Sequence, residues 1–247
     1  MYNYKMTIQY DGGRYRGWQK LGEEENTIQG KLEKVFSQLE GEEVEVVGCS
    51  RTDAGVHAIA QAANVKLRRS LPPGALMEYV NRYLPQDISI TGITSVPGSF
   101  HARYHAKEKT YLYQIWNREY PNPFQRKYSM HVPEPLDKTA MAAAAGHFLG
   151  EHDFTAFSNA RGKKKSMVRK ISSIIISEEE GMIRIRLEGD GFLYNMVRKI
   201  VGVLVEVGLG RMEEAIIADI LTSMDRSRVP VLAEPGGLFL ERIEYET

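Results

Sequence analysis

The stretch Gly48-Cys49-Ser50-Arg51-Thr52-Asp53-Ala54-Gly55-Val56-His57-Ala58 places one carboxylate on a tight turn that contains a glycine. It decides the fold because apolar segments flank it, and both residues 44–47 and Ala60 to Leu67 have the composition of strands. A polar cluster at the end of a strand is supported by a rigid sheet, where site residues are common. Asp53 is therefore our first candidate for a catalytic residue. The alternative is that it only caps the turn by bonding its own backbone.

Length and composition indicate a folded protein with a large core. The chain has 247 residues, of which 43% are hydrophobic. Its single cysteine excludes an internal disulfide framework and a four-cysteine zinc site, which indicates a reducing compartment and predicts the cytoplasm. The N-terminus lacks a basic region followed by an apolar stretch, and no segment approaches a membrane span, so neither export nor insertion is expected.

The formal net charge is zero, so total charge neither predicts nor excludes a nucleic-acid partner. The signs are segregated, however, into three glutamate clusters and one basic run from Arg161 to Lys170, which includes Lys163, Lys164 and Lys165. A phosphate backbone needs such a local patch and is indifferent to the total charge. The basic run is therefore a candidate nucleic-acid contact, and the alternative is a solvated loop.

Hydrophobic periodicity predicts strand, helix, strand, strand, helix, strand in the first half of the chain. These elements are a strand over 4–10, a helix from Asn26 or Thr27 to Gly41, strands at 44–47 and 60–67, a helix over 74–83 and a strand at 88–93.

The second half repeats this theme in outline. Its predicted elements are a strand from Thr110 to Asn117, an alanine-rich helix from Leu136 to Leu149, a hairpin around Glu180-Gly181, helices that start at Asn195 and cover 212–221, and a final strand from Leu238 to Tyr245. We therefore expect an α+β protein whose halves, residues 1–105 and 106–247, carry antiparallel sheets and form a central active-site cleft.

Several chemistries lack their motifs. The sequence contains neither a Gly-x-x-x-x-Gly-Lys phosphate loop nor a Gly-x-Gly-x-x-Gly motif after a strand. No nucleotide cofactor is therefore predicted. His101 and His105 have the spacing of helical metal ligands but no third ligand nearby, so no metal is predicted. Cys49, Asp53 and His57 lie within nine residues of each other, whereas thiol triads are assembled from distant segments. Cys49 is expected to be a small buried residue.

The stretch around Asp53 closely resembles the catalytic-aspartate motif of tRNA pseudouridine synthases of the TruA family, whose central signature is Arg-Thr-Asp-Ala-Gly-Val-His. Further blocks resemble the family in family order over essentially the whole chain. They are Tyr10-Asp11-Gly12, Gly17-Trp18-Gln19, Asn26-Thr27-Ile28-Gln29-Gly30, Phe100-His101-Ala102-Arg103, Lys109-Thr110-Tyr111, Gly150-Glu151-His152-Asp153-Phe154, Met196-Val197-Arg198 and Gly237-Leu238. The resemblance implies the pseudouridine synthase fold, with two related ferredoxin-like α+β halves, in a homodimer.

The resemblance also implies an isomerase that converts uridine to pseudouridine in the tRNA anticodon stem-loop, at positions 38, 39 and 40. The reaction moves ribose C1′ from N1 to C5 of the base and consumes neither water nor electrons, so it needs neither a metal nor a cofactor. Asp53 is the implied nucleophile, and its attack at C6 of the base and its action at ribose C1′ both remain open.

Other roles follow from the same resemblance. Arg198 is the implied cation that keeps Asp53 ionised, and Arg51 approaches the backbone of the displaced nucleotide. Tyr111 stacks on the target uracil, while Leu238 forms the apolar wall on its other face. Arg103 is a further candidate for tRNA binding, and the lysines at 163–165 are candidates because of the charge of their run. Taken alone, Arg198 would be a surface helix residue and Tyr111 a core residue.

Two other classes of protein are weighed against this one. A noncatalytic RNA-binding module of similar α+β build has no use for a buried acid near phosphates, so Asp53 and Arg198 discriminate against it. A glycoside hydrolase needs two opposed carboxylates, and only Asp53 has a persuasive setting. The sequence therefore favours an RNA-modifying isomerase.

Overall fold

The computed structural model describes residues 1–22, 24, 26–160 and 166–246. Contacts divide the chain into two compact units. Unit 1 consists of Met1–Lys107 together with the segment that begins at Phe239, and unit 2 is Glu108–Leu238. The expected halves, residues 1–105 and 106–247, stay a prediction as folding domains, while the contacts assign the last strand to unit 1.

Both units contain helices and strands. In chain order they are β1 (Tyr2–Tyr10), α1 (Ile28–Glu40), β2 (Val46–Gly48), β3 (His57–Leu67), α2 (Pro73–Tyr83), β4 (Ile88–Val96), β5 (Ala106–Trp116), β6 (Met130–His131), α3 (Lys138–Gly146), β7 (Gly150–Asp153), β8 (Val168–Glu179), β9 (Met182–Gly189), α4 (Met196–Gly208), α5 (Ile216–Ser223) and β10 (Leu238–Tyr245). The predicted α+β class is confirmed.

The sheet of unit 1 has the order β4-β1-β3-β10, and β2 also pairs with β3. β1 is antiparallel to both β3 and β4, whereas β10 runs parallel to β3 and pairs Phe239 with His57. The predicted alternation of β1 is confirmed, because Tyr4, Met6 and Ile8 are buried. α1 begins after Thr27, whose hydroxyl accepts the Gly30 N–H at 3.1 Å, so Thr27 is the cap.

Unit 2 contains an antiparallel sheet of order β5-β9-β8-β7, with β6 parallel to β5. The predicted hairpin is confirmed, and its turn residues Glu180 and Gly181 have φ values of 52° and 87°. α4 is almost entirely buried. α4 contacts α3 closely, since a Cβ on Gly208 would lie 2.8 Å from the Met141 sulfur.

Several boundaries differ from the prediction. α3 starts only at Lys138, because the Asp137 carboxylate accepts the N–H groups of Thr139 and Ala140 and so caps the helix there. The predicted helix over 212–221 is α5, which runs from Ile216 to Ser223. β3 starts at His57 and not at Ala60. β6 and β7 were not predicted, since both are short and lack an alternating pattern.

No helix in the described part of the chain combines the length and apolar character needed to cross a membrane.

Candidate active site

Asp53 lies on the loop between β2 and β3, in unit 1. The loop closes as a tight turn in which the Val56 N–H donates to the Asp53 carbonyl oxygen at 3.2 Å. Gly55 supplies the positive φ of 80° that the turn requires. Asp53 itself is half-buried, and its neighbour Thr52 is buried. The carboxylate is thus mounted on a short, strongly constrained segment.

The segment that follows β1 contacts one end of this loop. Gly12 lies so close that an added Cβ would be 1.9 Å from the Val56 carbonyl oxygen, and its N–H donates to His57 Nδ1 at 3.1 Å. The Asp11 carboxylate lies at the same distance from Nδ1, but one nitrogen cannot accept from Gly12 and donate to Asp11 together. The backbone fixes the direction of the Gly12 N–H, so we assign Nδ1 as its acceptor.

A second contact comes from Gly17 and Trp18. The Trp18 N–H donates to the Thr52 carbonyl oxygen at 3.0 Å, and Gly17, with a φ of 93°, would place a Cβ 2.7 Å from that oxygen. Gly48 in turn leaves room for the indole of Trp18, which an added Cβ would overlap. Glycines therefore allow both chain segments to approach the Asp53 loop at backbone distance.

A buried polar network fixes the start of the loop. The side-chain amide of Gln61 accepts from the Ser50 N–H at 3.2 Å and donates to the Ser50 carbonyl oxygen at 2.8 Å. Its nitrogen also lies 3.4 Å from the Tyr10 hydroxyl, which bonds the Thr52 hydroxyl at 2.8 Å. Burial raises the pKa of Tyr10, so this hydroxyl keeps its proton. We did not predict the role of Gln61 from the sequence.

Two guanidinium groups belong to the same unit. Arg51 is exposed two residues before Asp53, whereas Arg103 is half-buried and its Nε donates to the Cys49 carbonyl oxygen at 3.4 Å. Burial, followed by the positive charge of Arg51, lowers the pKa of Arg103. Two cations close enough to repel each other form a site that favours an anion. Cys49 is fully buried, as predicted.

Tyr111, Arg198 and Leu238 belong to unit 2. Tyr111 is buried in β5, pairs with Leu187 of β9 and contacts Phe192 edge-on at a centroid distance of 5.1 Å. Leu238, the first residue of β10, is also buried.

Arg198 lies in the first turn of α4 and is half-buried. Its Nε donates to the Ala233 carbonyl oxygen at 2.7 Å, and the Ala233 N–H donates back to the Arg198 carbonyl oxygen at 3.1 Å. The first bond orients the side chain, and the second joins the two backbones. The predicted roles of Arg198, Tyr111 and Leu238 toward Asp53 join residues of different units and stay predictions.

The predicted contacts of Lys163, Lys164 and Lys165 lie outside the described residues. Within the described ranges, no three His, Cys, Asp or Glu side chains come together as metal ligands. His101 and His105 are joined by a hydrogen bond from the backbone N–H of His101 to Nδ1 of His105, at 3.3 Å.

An aspartate on a glycine-packed loop within an α+β fold is the arrangement expected of the RNA-modifying isomerase that the sequence favours, and comparison with known proteins identifies the family. The sequence matches the family profile described as tRNA pseudouridine synthase over residues 6–105 and 144–246. The chain belongs to this family, and the prediction of an isomerase is confirmed.

Similar proteins are known from several bacteria. The chain is 56% identical to tRNA pseudouridine synthase A 2 of Bacillus cereus over 245 residues, which are 99% of this chain and 100% of that protein. It is 57% identical, with the same coverage, to tRNA pseudouridine synthase A of another Bacillus strain. The identity to tRNA pseudouridine synthase A 2 of Clostridium perfringens is 45%, again over 99% of this chain and all of that protein.

Proposed function

We propose that this protein converts uridine to pseudouridine in the anticodon stem-loop of tRNA, at positions 38, 39 and 40, with Asp53 as nucleophile. The observation that carries the proposal is the mounting of Asp53. Its neighbour Thr52 is bonded through both side chain and backbone, to Tyr10 and Trp18, and Val56 packs directly on Gly12. A carboxylate held in this way meets its substrate with little reorganisation.

The reaction needs one nucleophile and a route for one proton. The bond between ribose C1′ and N1 breaks, the uracil turns, and C1′ bonds to C5, which then loses its proton while N1 gains one. Asp53 adds either to C6 of the base or to C1′, and it is released once the new bond has formed. Atoms and electrons balance without water or an external oxidant.

Asp53 acts only when ionised, and a bound base that excludes water favours the protonated acid. We assign Arg198 as the cation that offsets this effect, because a guanidinium pairs bidentately with a carboxylate and does not lose its proton at physiological pH. The bond from Arg198 to Ala233 supports this assignment, since it fixes the direction of the side chain.

The target base must leave its stack before Asp53 can reach it, which costs on the order of a few kcal/mol. We propose that Tyr111 stacks on the extruded uracil and that Leu238 covers its other face, which recovers part of this energy. Arg51, Arg103 and the lysines at 163–165 then bind phosphates of the tRNA.

We further propose that the protein works as a homodimer in the cytoplasm. The family resemblance supports the dimer. The single, fully buried Cys49 fits a reducing compartment.

The Asp53→Asn variant tests the proposal, because Asn is nearly isosteric but neither charged nor nucleophilic. We expect it to bind tRNA normally and to form no pseudouridine when the modified positions are mapped. The matched control is Asp137→Asn, which makes the same change at the cap of α3, where Asn serves equally well. Turnover by Asp53→Asn within a factor of ten of the native rate would contradict the assignment. If the native protein bound tRNA without modifying it, the chain would be a noncatalytic RNA-binding module.

A further inference from the structure

An exposed aromatic pair lies on the loop between β4 and β5. The Tyr104 side chain is 77% exposed, although its ring stacks on His101 with centroids 4.2 Å apart and planes 30° from parallel. His101 Nδ1 accepts the backbone N–H of Arg103 at 3.2 Å and that of Tyr104 at 3.4 Å, so the His101 ring is held by the loop backbone. One face of the stack is therefore fixed and the other faces solvent.

Two buried asparagines hold this loop against the sheet of unit 1. Asn3 of β1 donates to the carbonyl oxygens of Pro97 and Phe100 at 3.0 and 2.9 Å. Asn64 of β3 accepts the Ala102 N–H at 2.8 Å and donates to Asn3 at 3.1 Å. A planar ligand that stacks on Tyr104 would order little of the protein, which preserves most of the stacking energy.

Two arginines lie in the same region as the Tyr104 ring. Arg103, which directly precedes Tyr104, is near enough to Arg51 for their charges to repel. Within the residues that the structure describes, neither guanidinium forms an ion pair with a carboxylate. A ligand that offers a flat base and a phosphate satisfies both features, and a nucleotide has this chemistry.

We propose that Tyr104, supported by His101, stacks on the base of an unpaired nucleotide of the RNA other than the target uridine. Arg51 and Arg103 hold a phosphate of the same strand. The identity of the RNA as a tRNA anticodon stem-loop rests on the proposed function. Because every base has a face that stacks, this subsite contributes affinity for an unpaired nucleotide more than for a particular sequence.

Binding of an anticodon stem-loop transcript to the Asp53→Asn protein tests the subsite without turnover. We expect an added Tyr104→Ala change to weaken binding about tenfold at an unchanged salt slope, because a stack carries no counterions. Tyr104→Phe, which keeps the ring, should bind within about twofold and controls for folding. Arg103→Gln should lower the salt slope by roughly one unit.

A matched control is Tyr83→Ala on α2. Tyr83 is about half exposed and packs against Tyr79 at a centroid distance of 4.8 Å, which makes it a second aromatic pair on the surface of unit 1. Its loss should leave binding within about twofold, and a tenfold weakening here would overturn the claim that the effect is specific to Tyr104.

Abasic nucleotides placed singly around the loop then identify the partner. At one position the abasic change should weaken binding to the Asp53→Asn protein but not to its Tyr104→Ala derivative. Equal affinity with and without Tyr104, or no coupled position, would overturn the proposal.

Pseudouridine formation by the native protein is measured separately. If it occurs while Tyr104→Ala changes nothing, only the subsite fails. If none occurs but RNA binding depends on Tyr104, only the proposed function fails.

Discussion

Gly12 is glycine because the carbonyl oxygen of Val56 occupies the place of a side chain. The same holds for Gly48, whose missing side chain is replaced by the Trp18 ring. At the scale of single residues, the position of the Asp53 loop therefore depends on close packing at glycines as well as on hydrogen bonds. This gives a physical reason for the Tyr10-Asp11-Gly12 and Gly17-Trp18 blocks, which stand far from Asp53 in sequence.

We expect Gly12→Ala to lower both stability and activity. The added Cβ meets a backbone atom that cannot rotate away, so the loop must shift, and overpacking of this kind costs about 1–3 kcal/mol in the free energy of unfolding. The rate of pseudouridine formation should fall more than tenfold. Urea denaturation and a tRNA assay measure the two effects.

Gly74→Ala is the matched control for this change. Gly74 lies in the first turn of α2 with open space around it, so Ala should raise the free energy of unfolding by up to about 1 kcal/mol and leave the rate unchanged. Equal behaviour of the two variants would contradict the steric role of Gly12.

Tyr111 allows the stack and the hydroxyl to be separated. Tyr111→Phe should bind tRNA as the native protein does, and any loss of kcat would then assign the hydroxyl to proton transfer at C5. Tyr111→Ala should lose both affinity and rate. Because Tyr111 is buried, thermal denaturation must accompany the kinetics. Native affinity and rate in a folded Tyr111→Ala protein would make it an ordinary core residue.

At the scale of elements, β2 and β3 hold the Asp53 loop through Gln61. We expect Gln61→Leu to lower the free energy of unfolding by about 2 kcal/mol, since it leaves the Ser50 N–H and carbonyl oxygen unbonded in the interior. The kcat should fall more than the KM for tRNA rises, because the loop that carries Asp53 loses its support.

Tyr10→Phe probes the next link of the same network: it removes the bond to Thr52 and the 3.4 Å contact with the Gln61 amide, at a cost of about 1 kcal/mol. The double variant should lose less stability than the two single losses combined, since the side chains share one network. Additive losses in denaturation experiments would show that Gln61 and Tyr10 act separately.

The sequence predicted those elements whose signals are local. Alternation in β1, a cap of α1 at Asn26 or Thr27, its end at Gly41 and the turn at Glu180 are each set by neighbouring residues, and the structure confirms them with Thr27 as the cap. The parallel pairing of β10 with β3 joins residues 182 positions apart and leaves no local signal. Gln61 was missed for a similar reason, since its partners Ser50 and Tyr10 become known only from the strand register.

The residues of the candidate site likewise divide into those with a local sequence signal and those brought together by distant segments. The motif of eleven residues around Asp53 predicts the carboxylate and Arg51 as site residues, because all of its members are adjacent in sequence. The proximity of Arg51 to Arg103 depends on the path of the loop after β4, which periodicity does not predict. The Tyr104 stack likewise depends on asparagines of β1 and β3 that hold this loop.

At the scale of the whole molecule, a protein of zero net charge must bind tRNA through a local collection of cations. Replacing Lys163, Lys164 and Lys165 with Ala should raise the KM for tRNA strongly and flatten its salt dependence by up to about three units. The kcat at saturating tRNA should stay near the native value, because contacts kept throughout the reaction change binding uniformly.

The control for this variant removes the same charge from scattered positions, with Lys31, Lys66 and Lys138 replaced by Ala. Both triple variants carry the same net charge, so a difference between them reports the local patch and not the total charge. Equal salt slopes in the two proteins would mean that the basic run is a solvated loop. Arg14, Arg16, Arg103 and Lys107 would then be the next candidates for the tRNA surface.

The parallel pairing of β10 with β3 also constrains the order of events during synthesis. The sheet of unit 1 lacks its last strand, β10, until all of residues 108–238 have been translated, an interval on the order of ten seconds at typical ribosomal rates. During that time His57 and Ala58 of β3 lack their pairing with β10, and His57 lacks its stack on Phe239. A nascent chain stalled before Phe239 should therefore be digested by protease within unit 1 faster than a chain extended past Tyr245, even though most of unit 1 leaves the ribosome first.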